Sequence, residues 1–416
     1  MLRHEIPYNM RVKRILPGLA LAALFGCGGG GGGSTGSTPD PTPSQAKWTV
    51  LVYMNAANDL STYSDANVNQ MERLASNPDV RFVVQWKKAK GWWDTAPLFQ
   101  GTRRYLIGHD TSDAIKSTLV QDMGDDVDMG KASTLADFVE WGKRTYPADH
   151  TMVIVWDHGT GWQRLSTLPR SRSISADYQT GTRLQAWDLA NGFPSKVDVI
   201  STDACLMQMV EVAYQLRAKC DYFVASEDLV PAEGYAYDKV FAGMDSRADA
   251  SVESTMGDFA ATYAALPYSP YSDWNMQQSV VATAKLPALA TALDTLAGAM
   301  IDNKDALAAI APDVREKTRA YDASSVRTYL DLVDLASRLA ASNAPATVKT
   351  AASSVVQATK AAVVANSVNA LGTGGNGITV DFSPSAQFKD SSLATDYANL
   401  DFAKDTRWEE WLKVAP

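Results

Sequence analysis

The sequence predicts an α/β fold: a mostly parallel sheet flanked by helices, then a mainly helical C-terminal region that returns a strand. Three observations carry this. Apolar runs of five to seven residues alternate with helix-spaced segments between Trp48 and Ser226. A hydrophobic content of 46% and a charged content of 20% suit a globular chain with a sizeable core. After about residue 245 the texture turns to Ala-rich helical segments, broken by SVVATA (Ser279–Ala284) and GITVDF (Gly377–Phe382).

WTVLVYM (Trp48–Met54) reads as a buried strand, and Asp59–Ala75 as a helix burying Leu60, Val68, Met71 and Leu74. VRFVVQW (Val80–Trp86) and RRYLI (Arg103–Ile107) read as strands. Ser133–Tyr146 is a helix with Leu135, Phe138, Val139 and Gly142 on one face and Ser133 as its cap. TMVIVW (Thr151–Trp156) is a strand, followed by a polar loop. A short helix near Arg183–Asn191 leads to the strand VDVIS (Val197–Ser201). The spacing of Leu206, Met209, Val210 and Ala213 predicts a helix over Leu206–Arg217, before the strand YFVAS (Tyr222–Ser226).

The first segment reads as an address. Arg11, Lys13 and Arg14 precede an apolar run of 11 residues, Ile15–Phe25, too short to span a bilayer and typical of a secretory signal. LFGC ends at Cys27 like a bacterial lipobox, whose cysteine takes a lipid. Residues 28–45 are Gly/Ser/Pro-rich and cannot form a core, which suits a tether. The expected organisation is signal peptide 1–26, lipidated Cys27 and tether 27–46, catalytic domain 47–245 and C-terminal helical region 246–416. This places the protein in the cell envelope as an exported lipoprotein, at the outer membrane or cell surface, with the membrane as partner through Cys27.

Four of the 38 basic and one of the 47 acidic side chains lie in the first 26 residues, so the remainder holds 34 against 46, a formal −12. That disfavours a nucleic-acid partner. The cysteines are Cys27, Cys205 and Cys220, with no CxxC pair, so neither a zinc site nor a disulfide scaffold is indicated.

Sites in open α/β sheets form beyond the carboxyl ends of the strands. Cys205 follows Val197–Ser201, and His158 follows Thr151–Trp156. As parallel neighbours, the two strands would place thiol and imidazole on one rim. The expected helix start at Cys205 would favour a thiolate. His150 precedes its strand and belongs to the other rim; His109, after Arg103–Ile107, is the rival base. Cys220 precedes a strand and reads as a structural thiol. Gly159 lacks a Cβ, so its amide can approach a reacting carbonyl and, with the Cys205 amide, form an oxyanion hole.

WDHGTGW and TDACLM resemble the active-site blocks of the clostripain family of cysteine peptidases, which share the caspase–hemoglobinase fold. Other matching stretches are WTVLVYMNAANDL, TLADFVEWGKRTYPADH, SEDLVPAEGYAY, VRTYLDLVDLA and GNGITVDFSP, so the resemblance covers about residues 48–416. The 47-residue gap from His158 to Cys205 is near the spacing of about 50 seen in caspases. The resemblance implies a cysteine endopeptidase acting on protein or peptide substrates. Cys205 would be the nucleophile and His158 the general acid, with no third catalytic residue required. It implies cleavage after Arg or Lys, with acidic residues in the S1 pocket. Asp203 is the first candidate, against the alternative of a helix-start residue accepting backbone N–H bonds; Glu227, Asp228 and Glu233 follow. Tyr235 stands where the family usually has tryptophan. Self-cleavage is implied after Arg170 or Arg172. Calcium is raised by the resemblance as an ion the enzyme could use, with no cofactor required. The acidic stretch Asp122–Gly130 lacks the EF-hand pattern and reads as a solvated loop.

Two other readings remain. One is a non-catalytic, lipid-anchored binding protein on a peptidase-like scaffold, using exposed aromatics such as those of Lys90–Asp94 and Ser269–Trp274. The other is a Cys-dependent hydrolase or acyltransferase of non-protein substrates. Oligomeric state is not legible.

Overall fold

The computed structural model describes residues 45–74, 77–163, 174–267, 274–321, 328–371, 374–389 and 391–416. Cys27, Arg170 and Arg172, with the signal and most of the tether, lie outside the described residues.

The strands are β1 (Ala46–Ala56), β2 (Val80–Lys88), β3 (Gly101–Leu106), β4 (Thr118–Gly124), β5 (Ala148–Trp156), β6 (Ile174–Asp177), β7 (Thr182–Leu184), β8 (Val197–Asp203), β9 (Cys220–Ala225), β10 (Gln277–Ala282), β11 (Tyr329–Asp331), β12 (Val363–Val368) and β13 (Thr379–Asp381). Nine form one sheet in the order β12-β10-β9-β8-β5-β1-β2-β3-β4. The five central strands, from β9 to β2, run parallel, and the outer pairings are antiparallel.

The central strands read as near-continuous apolar runs because both their faces are covered. On β1, Leu51 and Tyr53 enter one core and Val50, Val52 and Met54 the other. The helix α1 (Ser61–Arg73) and the helix Val252–Ala265 supply the second core through Val68, Met71, Met256 and Phe259. The helices α2 (Ala132–Thr145), Leu286–Asp302, Leu332–Ala341 and Ala346–Ala362 cover the first. Strand order reverses between β1, which continues to β2, and β5, which continues to β8 and β9. That switch point opens a crevice at the carboxyl ends of β1 and β5.

Four features differ from the sequence reading. The helix α3 begins at Val210 and ends at Gln215, so Leu206–Met209 is not helical. GITVDF does not rejoin the main sheet: β13 pairs with β11 in a separate two-stranded sheet. The strands that do extend the main sheet from the C-terminal half are β10 and β12, so sheet and core cross the change of texture near residue 245, and residues 43–416 form one unit. Finally, β4 is an extra edge strand drawn from a stretch with no apolar alternation, every residue of it at least partly exposed.

The C-terminal half is stitched to α3 through buried acids. The Asp381 amide and the Tyr397 hydroxyl both donate to Glu211, at 2.8 and 3.1 Å. Burial, and then the neighbouring Asp381 carboxylate, push Glu211 up to about 8.

Candidate active site

Three adjacent parallel strands deliver the site. The registers Met54↔Trp156 and Trp156↔Asp203 align the carboxyl ends of β1, β5 and β8. Asp59 follows β1, His158 follows β5 and Cys205 follows β8. His158 and Cys205 line one cleft of about 220 Å³, with Asp203, Leu60, Val230 and Trp274 among its other walls.

Cys205 is partly buried and sits in a turn rather than on a helix. The next residue, Leu206, has φ 62°, a left-handed conformation costly for a branched side chain. That turn is held by the Leu206 amide donating to the Asp228 carbonyl at 3.1 Å. The helix-dipole argument for a thiolate therefore does not apply. What faces the sulfur instead is the Val230 amide, donating to Sγ at 3.2 Å. Cys220 contrasts: it is fully buried, and desolvation drives its thiol far above the ordinary range.

The His158 ring is mostly shielded, with its side chain 11% exposed, and its Nε2 lies 2.7 Å from Oδ1 of Asp59. The Tyr178 hydroxyl donates to the same oxygen at 3.2 Å. Behind them, Asn58 donates to Asp157 at 2.8 Å and the His158 amide donates to Asp157 at 2.6 Å, fixing the backbone on which the imidazole stands. A Cβ on Gly159 would collide with the Cys205 carbonyl and lie 3.0 Å from the Cys205 amide nitrogen. The two amides are thus neighbours, and that of Gly159 has no protein acceptor among the described residues.

Residues 52–414 match the clostripain family. The chain belongs to that family. Clostripain from Hathewaya histolytica is 25% identical over 218 residues, 47% of this chain; the chain spans 41% of that relative's length. Among solved structures, the chain is similar to an inactive zymogen C11 protease from Parabacteroides distasonis, with TM-score 0.64, 20% identity and coverage of 88% of this chain and 99% of that one. It is similarly close to a secreted C11 cysteine protease from Bacteroides thetaiotaomicron in complex with an irreversible peptide inhibitor, with TM-score 0.64, 21% identity and coverage of 87% and 99%. These likenesses establish the fold.

Of the acidic residues singled out in the clostripain-like blocks, only Asp203 lines the cleft. It is 3% exposed and accepts from the Tyr235 amide at 2.9 Å and the Tyr237 hydroxyl at 3.1 Å. So it does accept a backbone N–H, but from across the cleft and not from a helix of its own. Burial pushes its carboxyl up to about 7, against the pull of those two donors. Gly234 makes the approach feasible, since it has φ 63° and a Cβ there would stand 2.7 Å from Oδ2 of Asp203. The remaining three are not part of that lining. Glu227 is buried and receives the Gly377 amide at 2.7 Å, a clamp on the C-terminal half. Asp228 turns its carboxylate to the Leu229 amide at 2.7 Å. Glu233 is outside the cleft lining, and its carbonyl accepts from Asn67 of α1 at 2.8 Å.

The rival histidines are elsewhere. β3 runs antiparallel to β2, so its carboxyl end, and His109, fall on the opposite rim, where Nδ1 meets the Leu74 carbonyl at 2.7 Å. His150 opens β5 and pairs with Asp198 at 2.9 Å. Sequence reasoning missed Asp59. The available signal was its place directly beyond a strand that turned out to lie beside β5. No group of three or more His, Cys, Asp or Glu among the described residues is placed to hold a metal ion. In the acidic stretch, Asp122 meets Arg103 at 3.1 Å and Asp128 meets the Gly130 amide at 3.0 Å. The described residues thus offer no cluster of three such side chains to calcium, and no step is routed through one.

Proposed function

We propose that the protein is a cysteine endopeptidase that cleaves after Arg or Lys through Cys205 and His158. The observation that carries this is the shared cleft: a thiol, an imidazole and a buried carboxylate from the ends of neighbouring parallel strands. The Cys205 thiol gives its proton to His158, and Sγ attacks the scissile carbonyl carbon, forming a C–S bond as the C=O π pair moves onto oxygen. The Gly159 and Cys205 amides stabilise the oxyanion. As the C–N bond breaks, His158 gives a proton to the departing amine. Water then enters, loses a proton to His158 and attacks the thioester, releasing the acid and restoring the thiol. Asp59 holds the imidazole by Nε2, which leaves Nδ1 for this proton traffic. Exported and tethered through Cys27, the enzyme would act outside the cytoplasm. It would process itself after Arg170 or Arg172.

In this reading Asp203 meets the cationic side chain. A carboxyl pushed up to about 7 is mostly neutral below that pH and charged above it. The kcat/KM for an arginyl or lysyl reporter is therefore expected to rise as pH increases through about 7, more steeply than for a reporter with a neutral residue there. Asp203→Asn removes that difference and costs the cationic reporters about 10- to 100-fold. Wild-type enzyme that turns over neutral and cationic reporters equally, with parallel pH profiles, would remove the basic-residue specificity. No thiol-dependent turnover, together with no labelling of Cys205 by a thiol alkylator, would favour the binding-protein reading.

A further inference from the structure

The segment after β2 carries two consecutive tryptophans, and the site described above does not use them. Trp92 is 60% exposed, equalled only by Leu98 among exposed large apolar side chains of the described residues. It packs edge-on against Trp93 with centroids 5.8 Å apart, and Trp93 packs edge-on against Tyr178 at 5.5 Å. Tyr178 is the residue whose hydroxyl reaches Asp59, the partner of His158. The aromatic row is thus linked through Tyr178 and Asp59 to His158, which lines the cleft.

The row is also fixed in place. The Gly91 amide donates to the Asp94 carbonyl at 2.9 Å, and the Trp93 indole N–H to the Ala89 carbonyl at 3.2 Å. Asp94 accepts from the Ser61 hydroxyl at 2.7 Å, at the start of α1. An aromatic surface held rigid before anything binds loses little conformational entropy on contact.

Chemistry sets which part of a substrate reaches it. The group that protonates the leaving amine stands on the departing side of the scissile bond. Asp59 and Tyr178 lie behind that imidazole, and Trp93 and Trp92 lie behind Tyr178. We propose that Trp92, Trp93 and Tyr178 form a subsite for an apolar, above all aromatic, side chain of a peptide substrate just C-terminal to the cleaved bond. This rests on the assignment of Cys205 and His158.

The test uses peptides identical up to an arginine at the cleaved bond, followed by Phe, Leu, Gly or Asp in the next two positions. Wild-type kcat/KM is expected to favour Phe over Gly by about tenfold. Trp92→Ala should flatten that ratio, whereas Trp92→Phe, which keeps an aromatic face, should retain most of it. A peptidyl alkylating inhibitor that fills only the N-terminal side reports separately on Cys205. Labelled enzyme with no aromatic preference, or a preference that survives Trp92→Ala, overturns the subsite alone. An unlabelled Cys205 in the wild type overturns the catalytic assignment and the subsite with it.

Discussion

Replacing His158 by alanine is expected to lower kcat/KM toward an arginyl reporter by about 10²- to 10⁴-fold, the usual contribution of a positioned acid–base group. The loss should fall in kcat, with KM little changed, because in the proposed mechanism the imidazole acts in the transition state and not in substrate binding. Cys205→Ala should leave no thiol-dependent turnover. The two losses should not add in a double variant, since sulfur and imidazole work as a unit. Both single variants should also run as one intact band on a denaturing gel if the cuts after Arg170 or Arg172 are made by this site. A His158→Ala enzyme within a few-fold of wild type would mean that another group protonates the leaving amine. His109 and His150 are not available for that, because each is tied down on the far rim, to Leu74 and Asp198.

Asp59 carries the second large effect. In the proposed mechanism its carboxylate, 2.7 Å from Nε2 of His158, leaves Nδ1 for the sulfur, as the orienting acid of other nucleophile–histidine pairs does. Its side chain is 33% exposed, so water can take over part of that work. Asp59→Ala is therefore expected to lower kcat by about 10²-fold, well short of the roughly 10⁴-fold that a buried orienting aspartate gives. Asp59→Asn, which keeps an acceptor oxygen, should lose less. KM and the thermal midpoint should hardly move, because Asp59 is one-third exposed and does not line the cleft. A parallel fall in stability would mark Asp59 as structural. Tyr178→Phe, which removes only the second donor to Asp59, should give a milder version of the same kinetic pattern.

The layered α/β core was legible because the central strands are covered on both faces, and that leaves continuous apolar runs such as TMVIVW. His158 and Cys205 were legible from chain order alone, each lying just past such a run. What escaped depended on pairing at long range. The apolar spacing of Leu206, Met209, Val210 and Ala213 matches a helix. It arises, however, because a turn and a short helix bury all four against the same core. Nothing local says that GITVDF pairs with β11, or that Val363–Val368 continues the main sheet. Asp59 was invisible as a partner of His158 until β1 was known to neighbour β5. Glu227 resembled a pocket acid in the sequence, but its side chain accepts from the Gly377 amide and is not part of the cleft lining.

In the proposed mechanism the Cys205 sulfur is a nucleophile assisted by His158. Measuring the alkylation rate at Cys205 by peptide mapping, at neutral pH, in intact wild-type and His158→Ala protein, tests it most directly. Rapid labelling of Cys205 is expected in the wild type, with no labelling of buried Cys220 and a fall of roughly tenfold or more at Cys205 when the imidazole is removed. Equal rates at Cys205 in both proteins would contradict it.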